Sequence, residues 1–311
     1  MIESTPSRTA LITSLMRAAH ARRDPSPLLD DPWGDRLVAE YERESISQRV
    51  LARMNPDARA AALHAPDSFL DDFLLANVAY PGVVLRSRYT EDALREAINK
   101  GIRQYVLIGA GFDSFTLRRP AFSKTLEILE IDHPSTQDLK VQRIKECGIS
   151  LPPSVHFIAA DLANDDLAAA LARSSFRKDE PAFFSWLGVT VYLTRQANLE
   201  TLRSVATCGA AGSELVFTYV DQIEFAADGS RSLHSPNAEA AASRGSPMYP
   251  GLIRRRLRTI SCMPTLNWSK TSTDPNCLSG TEETRRMPCN RLPACIALAR
   301  VGPGVSIGTV R

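Results

Sequence analysis

Val106-Leu-Ile-Gly109-Ala-Gly111-Phe-Asp113-Ser114 is an apolar run that passes straight into a glycine turn. The run begins at Gln104, and an uninterrupted apolar segment of that length ending in glycine predicts a strand buried on both faces of a parallel sheet. Gly109 can adopt positive φ. Gly111 carries no side chain to block a ligand lying against the backbone and the N-terminus of a following helix. A G-x-G by itself also fits a tight structural turn.

Working outward, similar runs recur at Leu126 to Ile131, Val155 to Ala160, Ala182 to Trp186 and Glu214 to Tyr219, separated by helix-length segments. Such alternation predicts parallel strands joined by right-handed helical crossovers, an α/β, Rossmann-like, doubly wound and mostly parallel sheet. Upstream, Leu11, Ile12, Leu15, Met16 and Ala19 recur at helical spacing from Thr9 to Arg23, and Asp24-Pro25 and Ser26-Pro27 stop the helix. Leu28 to Trp33 reads as a turn. Further amphipathic helices are expected at Asp35 to Arg53, Asp67 to Val78 and, after a break at Pro81-Gly82, Val83 to Lys100. The chain thus divides into an N-terminal helical cap region (1–100), a sheet-forming core (101–222) and an atypical C-terminal region (223–311).

Acids follow the glycines at the ends of the next two strands. Glu130-Ile-Asp132 ends the second strand about 20 residues past the turn, where a carboxylate can accept bonds from both hydroxyls of a ribose. Asp132 also precedes His133-Pro134, a setting that suits a helix N-cap. Ala159-Ala160-Asp161-Leu162 ends the third strand. There Asp161 can bond an adenine amino group while Leu162 covers the ring, or Asp161 can cap a helix. The turn reads G-x-G-x-x-S, with Ser114 where a pyrophosphate cradle usually wants a third glycine. A methyl donor with an amino-acid carboxylate and no phosphate tolerates Asp113 and needs a cation, which Arg86-Ser-Arg88-Tyr89 can supply. That segment also reads as a solvated basic helix face.

These motifs resemble the class I S-adenosylmethionine-dependent methyltransferases related to leucine carboxyl methyltransferase, in a bacterial branch. The resemblance rests on Arg86 to Tyr89, Val106 to Phe115, Glu130 to Gln137, Asp161-Leu162 and Trp186-Leu-Gly-Val-Thr-Val-Tyr-Leu193, and covers about Thr9 to Asp221. It implies a seven-strand sheet under a helical cap. It also implies an S-adenosyl-L-methionine site formed by Gly109, Ala110, Gly111, Asp132, Asp161 and Leu162, with Arg88 on the donor carboxylate and Arg86 in reserve. Gly188 to Tyr192 would face the methyl group and line the acceptor pocket, or Trp186 and Tyr192 would simply pack beneath the cap. Some relatives carry a glutamate where this chain has Leu187, so a contact needing that acid is not expected here. The function implied is methyl transfer to a small-molecule acceptor, at a carboxylate or hydroxyl oxygen. The alternatives are an NAD-dependent oxidoreductase and a noncatalytic donor-binding protein. A carboxylate acceptor needs no general base, and no catalytic residue is assigned; His133, the nearest candidate for a hydroxyl acceptor, suits a turn better.

Composition bounds the rest. With 311 residues, 44% hydrophobic and 23% charged, the chain is an ordinary globular one. No apolar run approaches the roughly 20 residues that span a bilayer, and the N-terminus lacks a secretory apolar block, so a cytoplasmic protein without a membrane partner is expected. The net charge of +2 hides a basic tail: Ser246 to Arg311 carries 10 Lys and Arg against 3 Asp and Glu. That tail has only two aromatics, Tyr249 and Trp268, and no recognisable module, so nucleic acid is not an expected partner. It holds four of the six cysteines, without a C-x-x-C pair or a histidine, so free thiols are expected and a metal site is not. Nothing in the sequence sets the oligomeric state. The tail also departs from the family: its usual closing strands are not evident, and only Leu292 to Val301 offers an apolar strand or helix. The abrupt change near Met248 suggests that Tyr249 to about Arg286 is out of the ancestral reading frame, leaving a partly disordered region and an incomplete sheet edge that would impair activity.

Overall fold

In the computed structural model, which describes residues 6–65, 68–219, 266–272 and 295–301, the expected strands form one parallel layer. β1 (Gln104–Ile108), β2 (Glu127–Asp132), β3 (Val155–Ala159), β4 (Ala182–Trp186) and β5 (Glu214–Tyr219) lie in the order β3-β2-β1-β4-β5. β1, β4 and β5 are buried at every residue, which is why their sequences show no polar alternation. Chain order reverses between β1 and β4. At such a switch point the loops leaving neighbouring strands diverge and open a crevice at the carboxyl ends.

Two strands complete the sheet, correcting the expectation that its edge is unfinished. β7 (Cys295–Val301) runs antiparallel to β5, and β6 (Leu266–Ser272) runs antiparallel to β7, giving the order β3-β2-β1-β4-β5-β7-β6. β7 falls within the apolar Leu292 to Val301 segment. β6 was hidden because Leu266-Asn-Trp-Ser-Lys-Thr-Ser has few large apolar residues; a terminal strand is held by its backbone ladder to one neighbour and needs little apolar pattern. The other residues after 219, and with them most of the segment expected to be out of frame, lie outside the described residues.

Alternation along β1 sends Tyr105 and Leu107 to one face of the sheet and Val106 and Ile108 to the other. The first face packs against α6 (Tyr80–Asn99) and α7 (Phe115–Arg118) through Leu94, Ala97 and Phe115; the second packs against α9 (Leu167–Ala172) and α10 (Arg195–Cys208) through Leu171, Leu202 and Val205.

Upstream lie α1 (Arg8–Arg23), α2 (Trp33–Arg36), α3 (Glu40–Arg53), α4 (Pro56–His64) and α5 (Phe69–Leu75); α1, α3, α5 and the residues closing α2 form a third cluster around Leu11, Leu15, Met16, Leu37 and Leu74. Phe112, from the glycine turn, and Ile144, from α8 (Pro134–Glu146), are buried in that cluster and fasten the helices to the sheet. The helices differ from expectation in several places, α4 among them, lying where no helix was expected. The helix expected from Asp35 to Arg53 is two helices, and Pro81 begins α6 rather than breaking the chain before it. Proline is tolerated in a first helical turn because its missing N–H has no intrahelical partner there.

Candidate functional site

The glycine turn sits at the carboxyl end of β1, stitched to β2. Gly109 and Ala110 both donate their N–H to the Ile131 carbonyl, at 2.8 and 3.0 Å. Gly111 N–H donates to Asp132 Oδ2 at 2.5 Å, and His133 N–H to Asp132 Oδ1 at 2.7 Å. Burial pushes the Asp132 carboxyl above its ordinary range, while these two N–H bonds and nearby Lys140 pull the other way. His133, not Asp132, is the N-cap of α8, its Nδ1 engaged with Ser135, which gives His133 the structural role expected of it.

Gly109 and Gly111 have φ of 68° and 51°, in the left-handed region that favours glycine. The chain itself also demands their small size. A Cβ at Gly109 would lie 2.4 Å from Val189 Cγ2, and one at Gly111 would lie 3.1 Å from Ala10 Cβ on α1. On the side where a side chain would stand, Gly111 faces Ala10 of α1. The helix after the turn, α7, spans only Phe115–Arg118. One turn of helix offers few aligned N–H groups for a pyrophosphate, which speaks against the dinucleotide alternative.

Asp161 follows β3 on the same rim, but its bonds are local. Oδ1 accepts from Ala163 N–H at 3.0 Å and Oδ2 from Asn164 Nδ2 at 2.7 Å, so the side chain caps its own loop. Leu162 is half-buried against the core on the α9–α10 face. Glu130, two residues before Asp132, is fully buried on Lys140 Nζ and Thr116 Oγ1 and takes no part in the rim.

Residues 86 and 88 are about 200° apart around a helix, so only one of them can face the crevice. It is Arg86. Arg88, the expected carboxylate ligand, donates Nε to Asp92 at 2.8 Å and Nη1 to the Leu28 carbonyl at 2.9 Å. It lines a separate cleft of about 570 Å³ with Arg95, Arg118 and Phe122. Arg86 Nη1 instead lies 2.5 Å from where a Cβ of Gly188 would stand, and Gly188 has φ of 71°. The Arg86 guanidinium forms no hydrogen bond or ion pair among the described residues; burial pulls its pKa down to about 10, with the Asp113 carboxylate acting in the opposite direction. It therefore stays protonated at neutral pH.

The segment after β4 forms the other wall. Gly188 N–H donates to Thr218 Oγ1, and Thr190 Oγ1 to the Thr218 carbonyl, both at 2.7 Å, while Asn198 Nδ2 on α10 holds the Thr190 carbonyl at 2.9 Å. These bonds fix Val189 over Gly109 and leave Tyr192 half-buried. Trp186 is wholly buried beside Phe217, but on the α9–α10 face of the sheet rather than beneath the cap. The structure thus brings Gly109, Ala110, Gly111 and Asp132 together at the carboxyl ends of β1 and β2, with Arg86 against Gly188 on the neighbouring β4 segment, and among the described residues the Arg86 guanidinium has no ion pair.

Sequence reasoning missed a second set of residues. Arg17 and Ser14 on α1 both donate to the Phe112 carbonyl, at 2.6 and 3.4 Å, and Asp31 holds Arg17. Asp31 and Arg118 lay in stretches read as a turn and a connection, and no local pattern marks their meeting.

The family model for leucine carboxyl methyltransferase matches residues 10–206. A Bacillus subtilis (strain 168) protein named "Putative S-adenosyl-L-methionine-dependent methyltransferase YktD" is 31% identical over 251 residues, covering 80% of this chain and 82% of that one. A relative of the same description, without the YktD, from Mycolicibacterium gilvum (strain PYR-GCK) is 28% identical, covering 76% of this chain and 74% of its own. Among solved structures, a DUF574 family protein from Streptomyces avermitilis MA-4680 superposes with a TM-score of 0.55 at 15% identity, covering 96% of this chain and 98% of that one, a likeness of fold. The glycine turn, the acid after β2 and the match over most of the cap and sheet agree: this chain belongs to the leucine carboxyl methyltransferase family, among the class I S-adenosylmethionine-dependent methyltransferases.

Proposed function

We propose that the chain binds S-adenosylmethionine in the crevice between β1 and β4 and transfers its methyl group to an oxygen of a small-molecule acceptor. The observation that carries this reading is Arg86, a half-buried cation without an ion pair among the described residues, set against Gly188 at the switch point. Arg86 would hold the donor carboxylate and Asp132 the ribose hydroxyls, with Ala110 and Leu162 flanking the adenosyl group and Asp161 at its far end. When bound, the donor supplies a methyl already activated by a sulfonium. The chain's task is then alignment and exclusion of water. Gly188 to Tyr192, tied down by Thr218 and Asn198, supplies a rigid wall on the acceptor side. A carboxylate acceptor is ionised at neutral pH and asks no side chain to take a proton.

Calorimetry with S-adenosylhomocysteine tests the reading. Arg86→Met is expected to weaken binding about ten- to a hundredfold, the worth of a charge-assisted hydrogen-bonded contact, and Arg88→Met by no more than about twofold, as for an exposed ion pair. Equal losses, or loss at Arg88 alone, would overturn the assignment of the cation; wild-type protein that ignores the ligand would overturn the function.

A further inference from the structure

Phe112 ties the turn to the helical cap through both side chain and backbone. Its ring is buried among Leu11, Leu15 and Met16, while its carbonyl accepts the guanidinium of Arg17 at 2.6 Å. Arg17 has a defined orientation because Nε donates to Asp31 Oδ2 at 2.8 Å. Asp31 itself belongs to no helix and is wholly buried, its Oδ1 accepting from Trp33 N–H at 3.1 Å. On its other side Oδ1 lies 3.8 Å from Nε of Arg118, which donates to Ser114 Oγ at 2.9 Å and pairs with Glu91 on α6. Among the described residues Asp31 is thus the one carboxylate ion-paired with both arginines that grip the turn, Arg17 at Phe112 and Arg118 at Ser114.

A fully buried carboxylate is costly to keep charged unless it is paired, and removing it would leave two partly buried guanidinium groups in excess of one acid. The arrangement has a consequence beyond stability. From below, Asp132 fixes the turn through the N–H of Gly111; from above, Arg17 fixes it through the carbonyl one residue later. The Gly111 N–H and the Phe112 carbonyl belong to peptide units 110–111 and 112–113, with a single unit between them, so what orients Arg17 also constrains the N–H that holds the carboxylate assigned to the ribose.

We infer that Asp31 is a positioning residue for the methyl donor, acting through Arg17 and Arg118 to hold the turn from Gly109 to Ser114 in the form that binds it. The inference rests on the proposed donor site at this turn. Asp31 touches no donor atom; it is distant in sequence from the glycine motif and arrives there only because the strap between α1 and α2 folds beneath the cap.

The experiment is S-adenosylhomocysteine calorimetry on the full chain, with hydrogen exchange of the segment 109–114 measured alongside. Asp31→Asn is expected to raise Kd about tenfold or more, the scale of a displacement passed from a supporting residue to a binding group, and to speed exchange in that segment. Asp132→Ala serves as the control on the site itself. If Asp132→Ala weakens binding while Asp31→Asn binds and exchanges as wild type, the inference is overturned and the donor site stands. If Asp132→Ala binds as wild type, the donor site is misplaced and the inference falls with it. Should Asp31→Asn fail to fold, Arg17→Lys retains the charge beside Asp31 while losing the planar reach to the Phe112 carbonyl; it is expected to weaken binding several-fold, and wild-type affinity and exchange would overturn the inference.

Discussion

The carboxyl ends of β2 and β3 each deliver an aspartate to the same rim, and the two side chains meet different fates. Asp132 is half-buried, with one oxygen on Gly111 from the neighbouring crossover and the other on His133. Asp161 turns back on its own loop, bonding Ala163 and Asn164, while Asp165 accepts the N–H of Asp161 at 2.8 Å. The loop after β3 can form alone; the loop after β1 requires β2. An acid at a strand end becomes part of a cleft when another segment brings N–H groups to it, and a local cap when its own turn supplies them first.

Glu130 sharpens the contrast, since it shares a strand and a face with Asp132 yet points at Lys140 and Thr116 in the interior. The largest expected effect follows from it. Lys140→Met leaves Glu130 buried without its cation and should cost about 3–5 kcal/mol of stability in denaturant titration. A loss below about 1 kcal/mol, as for a surface pair, would show that β2 does not divide its acids between interior and rim.

Next in size is the direct comparison at the rim. Asp132→Ala is expected to weaken S-adenosylhomocysteine binding about a hundredfold, since it removes charged hydrogen bonds of about 1.5–3 kcal/mol each. Asp161→Ala is expected to weaken it about tenfold or less, with part of its effect appearing as a small drop in melting temperature from the lost cap. Equal effects on affinity would erase the distinction between the two strand ends.

The smallest effect is a pH dependence. Burial raises the Asp132 pKa above its usual 3.8. The ionised form accepts hydrogen bonds on both oxygens, so donor affinity should be constant at neutral pH and decline as acid protonates Asp132, beginning above the ordinary carboxylate range. Asp132→Asn should bind weakly throughout and show no such decline. A wild-type profile that stays flat down to the ordinary range would separate Asp132 from the donor.

Much of this molecule is readable along the chain. Ala182 to Trp186 and Glu214 to Tyr219 announce themselves as strands because both their faces are buried, and the glycines at 109 and 111 because few other residues adopt such backbone angles. β6 was not readable, because its backbone ladder to β7 leaves little trace in side-chain type. The choice between Arg86 and Arg88 was equally hidden: helical periodicity separates them, but only the packing of α6 on the sheet says which one looks at Gly188. Asp31 is the extreme case, an acid in a turn whose partners lie on α1 and α7.

The sequence by itself determined the five parallel strands alternating with helices and the presence of a glycine turn followed by acids, since these follow from burial and backbone preference within a few residues. Only the tertiary structure decided which cation faces the crevice, which acid belongs to it and what holds the turn in place. Those outcomes depend on distances between groups far apart in the chain, and a charge or hydrogen-bonding group acquires its role from whatever partner folding brings within about 3 Å of it.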